Sequence, residues 1–183
     1  MSRFSVIIDR DTLRFSALHW VKYSPTVIDK DHDGGISVRR ESATVVEPLH
    51  GHTFRIKLEI TGNLDEFGCV VDFVLVEQIM VKLLRQYEHK ILIPANDPDL
   101  ILRDNGPQVK IGVLNREWEF PAKDIKFLSA KNASTESIAA IILAEFVAVM
   151  QKNNILPLPF SDDQFVLTLE EDNGMYARVG ASH

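Results

Sequence analysis

The sequence predicts an α+β fold, an antiparallel sheet with two helices packed on one face. Three observations carry this expectation. Residues 52–61 alternate apolar and polar with the period of a half-buried strand. Two later stretches, 73–87 and 135–152, repeat apolar residues at three- and four-residue steps. Asp172-Asn173-Gly174 separates the last two apolar segments in the manner of a hairpin turn.

In chain order, the first extended segment runs from about Phe4 to His19, with irregularity expected at Asp9-Arg10-Asp11. Residues 21–45 are polar, and Asp29-Lys30-Asp31-His32-Asp33-Gly34-Gly35 reads as a loop or hairpin tip. In the clearest strand, Phe54, Ile56, Leu58 and Ile60 face one side, and Thr53, Arg55, Lys57 and Glu59 the other. Cys69-Val70-Val71-Asp72-Phe73 leads into the first helix, whose apolar face is Phe73, Val76, Met80, Leu83 and Tyr87. Pro94 to Pro98 reads as a loop. Val109–Val113 and Glu117–Phe120 read as an extra hairpin around Leu114-Asn115-Arg116. Ser134 is placed to cap the second helix, Glu136 favours its positive end, and Ile138, Ile142, Phe146 and Val149 form its buried stripe. Pro157 and Pro159 follow the helix stop, and the closing strands span about 164–171 and 175–179.

Composition excludes several classes. The net charge of −6 and the lack of a long basic run leave no electrostatic footprint for nucleic acid. One cysteine, Cys69, rules out an intrachain disulfide and four-cysteine metal sites. A packed, inert thiol is expected there. No stretch reaches the roughly 18 apolar residues of a membrane span, and the first residues lack a signal-peptide core. A cytoplasmic protein without membrane association is expected.

The chemistry concentrates in histidines. His50-Gly51-His52 opens the clearest strand, and residues two apart on a strand point to the same side. His19 ends the preceding strand, where antiparallel pairing would bring it close. Three neutral imidazoles suit zinc and leave a fourth position open. An isolated His-x-His is a weak signal, and a set of non-ligating histidines is the competing reading.

Phe15-Ser16-Ala17-Leu18-His19 and Leu49-His50-Gly51-His52-Thr53-Phe54 resemble the two zinc motifs of the 6-pyruvoyltetrahydropterin synthase and 6-carboxytetrahydropterin synthase family. In order along the chain, Val70-Val71-Asp72-Phe73, Tyr87-Glu88-His89-Lys90, Asn132-Ala133-Ser134-Thr135-Glu136 and Leu169-Glu170-Glu171-Asp172-Asn173 are similar to further family segments. The resemblance implies a tunnelling fold: a four-stranded antiparallel sheet with two helices on one face. It implies homo-oligomers, trimeric or hexameric, with active sites between subunits. It implies a pterin substrate, 7,8-dihydroneopterin triphosphate, and Zn2+ held by His19, His50 and His52.

The same resemblance assigns further roles. Glu170 matches the pterin-anchoring glutamate, since a carboxylate fits the paired donors of the ring. A solvated hairpin glutamate is the alternative. Glu171 is the adjacent competitor, expected to face the other way. Thr135 and Glu136 match substrate-binding positions, although Glu136 could equally only cap its helix. His89 matches the proton-shuttling histidine, with Glu88 where the family usually has aspartate.

The family's usual cysteine is missing, and Val46 stands at its position. Glu47, three residues before His50, resembles a minority branch with glutamate as general base, which favours carbon–carbon cleavage. A loop carboxylate near the metal is the alternative. The whole chain, 1–183, reads as one domain with insertions at about 21–45 and 94–128 relative to compact members. Two other functions stay open: a repurposed homologue binding a pterin or purine-like ligand without turnover, and a protein stabilised by a closed metal site.

Overall fold

The computed structural model describes residues 4–30, 35–153, 155 and 164–180. The first strand, β1 (Phe4–His19), places Leu13, Phe15, Ala17 and His19 inward. Two short hairpin-like ladders follow: β2 (Lys22–Tyr23) with β5 (Val45–Val46), and β3 (Thr26–Lys30) with β4 (Ile36–Arg40). The expected loop at 29–35 is therefore partly strand, and residues 31–34 lie outside the described set. Strand β6 (His50–Gly62) realises the alternating pattern, with Phe54, Ile56, Leu58 and Ile60 all buried. It pairs antiparallel with β1, and the register slips between Asp9 and Arg14, where the irregularity was expected.

Helix α1 (Phe73–Leu84) starts where Asp72 accepts hydrogen bonds from the Val74 and Leu75 amides. Those donors have no intrahelical partner, so the cap sets the boundary. Val76, Met80, Leu83 and Tyr87 are buried as the spacing predicts. Phe73 is instead exposed, because it sits in the first turn beyond the edge of the core. Cys69 is also exposed, contrary to expectation. Residues 65–69 form a turn around the Asp65 carboxylate, which accepts from the Phe67 and Cys69 amides, with Gly68 at φ +79. No strand forms there to carry the thiol inward.

The sheet has six strands rather than four. Strands β7 (Lys90–Pro94) and β11 (Ile125–Leu128) add parallel to the β1 edge, and β12 (Phe165–Asp172) and β13 (Met175–Gly180) extend the other side. The order is β11-β7-β1-β6-β12-β13. The four antiparallel strands of the expected sheet are its β1–β6–β12–β13 part. A three-stranded sheet of β8 (Leu100–Asp104), β9 (Gln108–Val113) and β10 (Arg116–Pro121) contains the expected extra hairpin plus one more strand. Helix α2 (Thr135–Lys152) carries the Ser134 cap and buries Ile138, Ile142 and Phe146, while Val149 is half-buried. Pro157 and Pro159 lie outside the described residues.

Two apolar clusters result. The main one joins the inner face of β1, β6 and β12 to both helices. The second joins Trp20, Val46, Ile91, Ile93, Ile111 and Val113, so the three-stranded sheet covers the other face of β7. Trp20 and Trp118 stack there with ring centroids 4.7 Å apart. No described helix is long and apolar enough to cross a membrane.

Candidate metal centre

The antiparallel register puts His19 directly opposite His50, and Ala17 opposite His52. The three imidazoles therefore emerge on the core face at one end of the sheet, with ring centroids 4.7–5.4 Å apart. His19 is fully buried. Its Nδ1–H donates to the Ala133 carbonyl at 2.7 Å, and His50 Nδ1–H donates to the Pro48 carbonyl at 2.8 Å. A carbonyl can only accept, so both rings are fixed in the tautomer whose Nε2 lone pair is free. Burial pushes the His52 pKa below the ordinary histidine value, although Glu171 pulls the other way.

Glu171 joins the cluster. One ligating atom each from His19, His50, His52 and Glu171 lies within 4.8 Å of the others. Glu171 Oε1 is 2.9 Å from His19 Nε2 and 4.0 Å from His52 Nε2. The closeness of His19 lowers the Glu171 carboxyl from its ordinary value, against the effect of burial. His19 Nε2 nonetheless has no hydrogen-bond partner among the described residues. Two ligands of one tetrahedral zinc sit roughly 3.3 Å apart, given metal–ligand bonds of about 2.0–2.1 Å. Three imidazoles and a carboxylate, converging without bonding each other well, fit such an ion.

The other expected residues fall in three places. Glu47 is at the cluster's rim, 4.0 Å from His50 Nε2, and its amide donates to the Val21 carbonyl at 3.0 Å. Glu88 and His89 lie in the turn before β7, beside Ser16 of β1. The Glu88 carboxylate accepts from the Ser16 amide at 2.8 Å and contacts His89 Nε2 at 3.0 Å. His89 takes a φ of +56, and its amide donates to the Ser16 carbonyl at 2.7 Å. His89 and His52 line one shallow depression of about 420 Å³ together with Ser16, Thr53 and Lys90. Thr135 is buried against Glu171, whereas Glu136 is exposed in the first turn of α2.

Glu170 goes elsewhere within this chain. It faces away from the histidines and lines a groove of about 650 Å³ with Arg55, Lys57, Tyr176 and Arg178. Its carboxylate accepts from the Gly174 amide at 3.0 Å. Glu171 faces the other way, as expected, but its arrival among the histidines was not anticipated. Alternation along β12 places it there, on the face of the buried Phe165, Leu167 and Leu169.

A second layer supports the site. Asn132 accepts from the Lys22 amide at 3.0 Å and donates to the Lys22 carbonyl at 2.9 Å, beside the Ala133 carbonyl that holds His19. Lys22 also binds the buried Asp97 and, at 2.8 Å, Asp99. The sequence offered no signal for Lys22 or Asp97, and Asn132 stood out only within its family-like segment.

Fold and site together define an α+β protein with a metal-competent three-histidine, one-carboxylate cluster at a sheet end. The family model for 6-pyruvoyl tetrahydropterin synthase matches residues 10–156, and the chain belongs to that family. It is 25% identical over 122 residues to a 6-carboxy-5,6,7,8-tetrahydropterin synthase of Rickettsia typhi, covering 66% of this chain and 72% of that one. A protein of Methanocaldococcus jannaschii provisionally given the same name is 24% identical over 106 residues, 57% of this chain and 64% of the relative. The match thus spans just under two thirds of that archaeal protein. Among solved structures, the 6-pyruvoyl tetrahydropterin synthase of Plasmodium vivax superposes with TM-score 0.77 at 22% identity over 100% of both chains. That of Plasmodium falciparum gives 0.74 at 22% over 98% of both. Two further Plasmodium vivax structures carry alanine or cysteine in place of a glutamate described as a catalytic residue of that protein.

Proposed function

We propose that the chain is a zinc-dependent lyase acting on the side chain of 7,8-dihydroneopterin triphosphate, with carbon–carbon cleavage. One observation carries the reading. Two of the three imidazoles are locked with Nε2 turned to a common point, and a carboxylate, Glu47, stands 4.0 Å from one of them. Zinc bound there by His19, His50 and His52 would polarise the side-chain hydroxyls.

This chain's own residues then have definable tasks. Glu47 takes the proton of the 2′-hydroxyl. The C1′–C2′ bond breaks, its electron pair passes into the adjacent ring imine, and the departing fragment leaves as an aldehyde. A proton returned to C1′ completes 6-hydroxymethyl-7,8-dihydropterin. His89 would make that return; its contact with Glu88, itself held by the Ser16 amide, supports this role. The lack of cysteine at Val46 and the catalytic glutamate of the Plasmodium vivax protein favour Glu47 in this role.

Glu170, with Thr135 and Glu136, would bind the pterin. Glu170 and the histidines lie on opposite sheet faces of one chain, which supports active sites shared between copies of a homo-oligomer. The test is product analysis with zinc-loaded protein. Glu47→Gln should abolish turnover with zinc still bound; unchanged turnover removes Glu47 from the mechanism. Failure of the unaltered protein to consume this substrate at any zinc level sinks the lyase reading. Glu171 beside His19 lends weight to a second reading, a pterin- or purine-binding homologue without turnover, which calorimetry showing binding without product would support.

A further inference from the structure

The carboxylate of Glu171 reaches the three imidazoles, with one ligating atom of each within 4.8 Å of the others. Three features bear on its place there. The β12 ladder to β6 ends at Glu170, and Glu171 is the extra residue of a β-bulge: Glu170 faces Tyr176, and Asp172 faces Met175. Alternation along β12 carries Glu171 to the face of the buried Phe165, Leu167 and Leu169, and the bulge leaves it outside the β13 ladder. Thr135, buried at the start of α2, stands beside the same carboxylate. The fully buried His19 Nε2 meets Glu171 Oε1 at 2.9 Å without a hydrogen bond. With its Nδ1–H given to Ala133, His19 presents a lone pair there, and two acceptors this close are reconciled by a cation between them.

We propose that Glu171 is the fourth protein ligand of the metal in the substrate-free protein, and that a diol-bearing pterin must displace it to reach the ion. This rests on the zinc reading above and deepens it. Glu171 then acts as a gate: it keeps water from the open position and releases it to a chelating pair of hydroxyls. The bulge supplies the means, since an unpaired residue at a ladder end can swing without breaking the sheet.

The experiment uses the full chain loaded with Co2+ or Zn2+. Metal affinity is read by competition with a chromophoric chelator, and coordination by the visible absorption of the cobalt form. Glu171→Ala should weaken metal binding by at least the ~10–100-fold seen when supporting groups of a metal site are lost, and should shift the cobalt bands. Glu171→Gln, which keeps the side-chain volume, serves if the alanine variant fails to fold, and should show the same direction. Adding 7,8-dihydroneopterin should shift the bands of the unaltered protein. The Glu171→Ala variant, with no ligand to displace, should half-saturate at lower pterin concentration. Metal affinity within about threefold of the unaltered chain, with unchanged bands, overturns the ligand assignment. Bands indifferent to the pterin overturn the gate and leave a closed site. An unaltered chain that takes up no metal fails the zinc reading itself, a separate outcome from either.

Discussion

Lys22 offers the sharpest test of how the site is held. Its ammonium lies against Asp97, whose side chain is only 1% exposed, while the Lys22 side chain is 15% exposed. Asp97 Oδ1 also accepts from the Asp99 amide at 3.0 Å, and its Oδ2 is buried without a partner among the described residues. Lys22→Met therefore leaves a buried carboxylate with no cation. Breaking a buried pair from one side costs about 3–5 kcal/mol, against about 0.2–1 kcal/mol for an exposed pair. For a chain of this size that is a fall in Tm of roughly 6–20 °C. Urea unfolding at fixed protein and zinc concentrations measures it, since both ligands and assembly shift apparent stability. Asp97→Asn in the same chain removes the stranded charge and should recover most of the loss. Burial alone would lower the Lys22 pKa, but the hydrogen bonds and charges of Asp97 and Asp99 outweigh it and raise it. A raised ammonium pKa gives stability that is complete below the unfolded lysine value and lost only as pH rises through the folded one. The loss should thus be constant between about pH 6 and 8. A loss under about 1 kcal/mol, or no recovery in the double variant, refutes the account.

Three other outcomes are expected. Asn132→Ala removes two hydrogen bonds to Lys22, costs about 2 kcal/mol, and weakens metal binding by about tenfold through the freed Ala133 carbonyl, read by chelator competition. Ser134→Ala removes the α2 cap and should lower stability by about 0.5–2 kcal/mol in the same urea assay. Glu59 accepts hydrogen bonds from Ser5 and Arg178, which hold its carboxyl below the ordinary value. A depressed carboxyl pKa gives stability present above the unfolded value and lost as pH falls. Glu59→Gln should therefore be less stable at neutral pH, with the difference closing under acid; a constant difference contradicts this.

The parts of the fold legible in the sequence are those with one buried face. Strand β6 alternates because one side meets the helices and the other does not. Helix α2 shows both its stripe and its Ser134 cap. Strand β7 was missed for the converse reason. Leu92 packs into the main core and Ile91 and Ile93 into the second cluster, so Ile91-Leu92-Ile93 is apolar on both faces and shows no period. Its partner β11 is too short to show one. In the site, the histidine triad was legible because a period of two is enough to converge His50 and His52. Glu171 was not: its inward face follows from the parity of Leu167 and Leu169, but its place beside His19 depends on the pairing of β12 with β6, which only the assembled sheet defines.

The three-stranded sheet bears on the chemistry through the second apolar cluster. Trp20 follows His19 directly, and Val46 precedes Glu47; both side chains are buried against Ile111 and Val113 of β9. Arg116 on β10 donates to the Val46 carbonyl at 3.4 Å. The β2–β5 ladder pairs Lys22 with Val46, and the Glu47 amide binds the Val21 carbonyl. The segment carrying Glu47 is thus clamped from two sides, by the end of β1 and by the added sheet. In the proposed reaction Glu47 must reach the same side-chain hydroxyls each time, which needs a fixed backbone. The added sheet, far from β6 in sequence, gives that segment apolar contacts that the main core does not reach. It therefore belongs to the same structural unit as Glu47, and its packing sets how closely that carboxylate approaches the histidines.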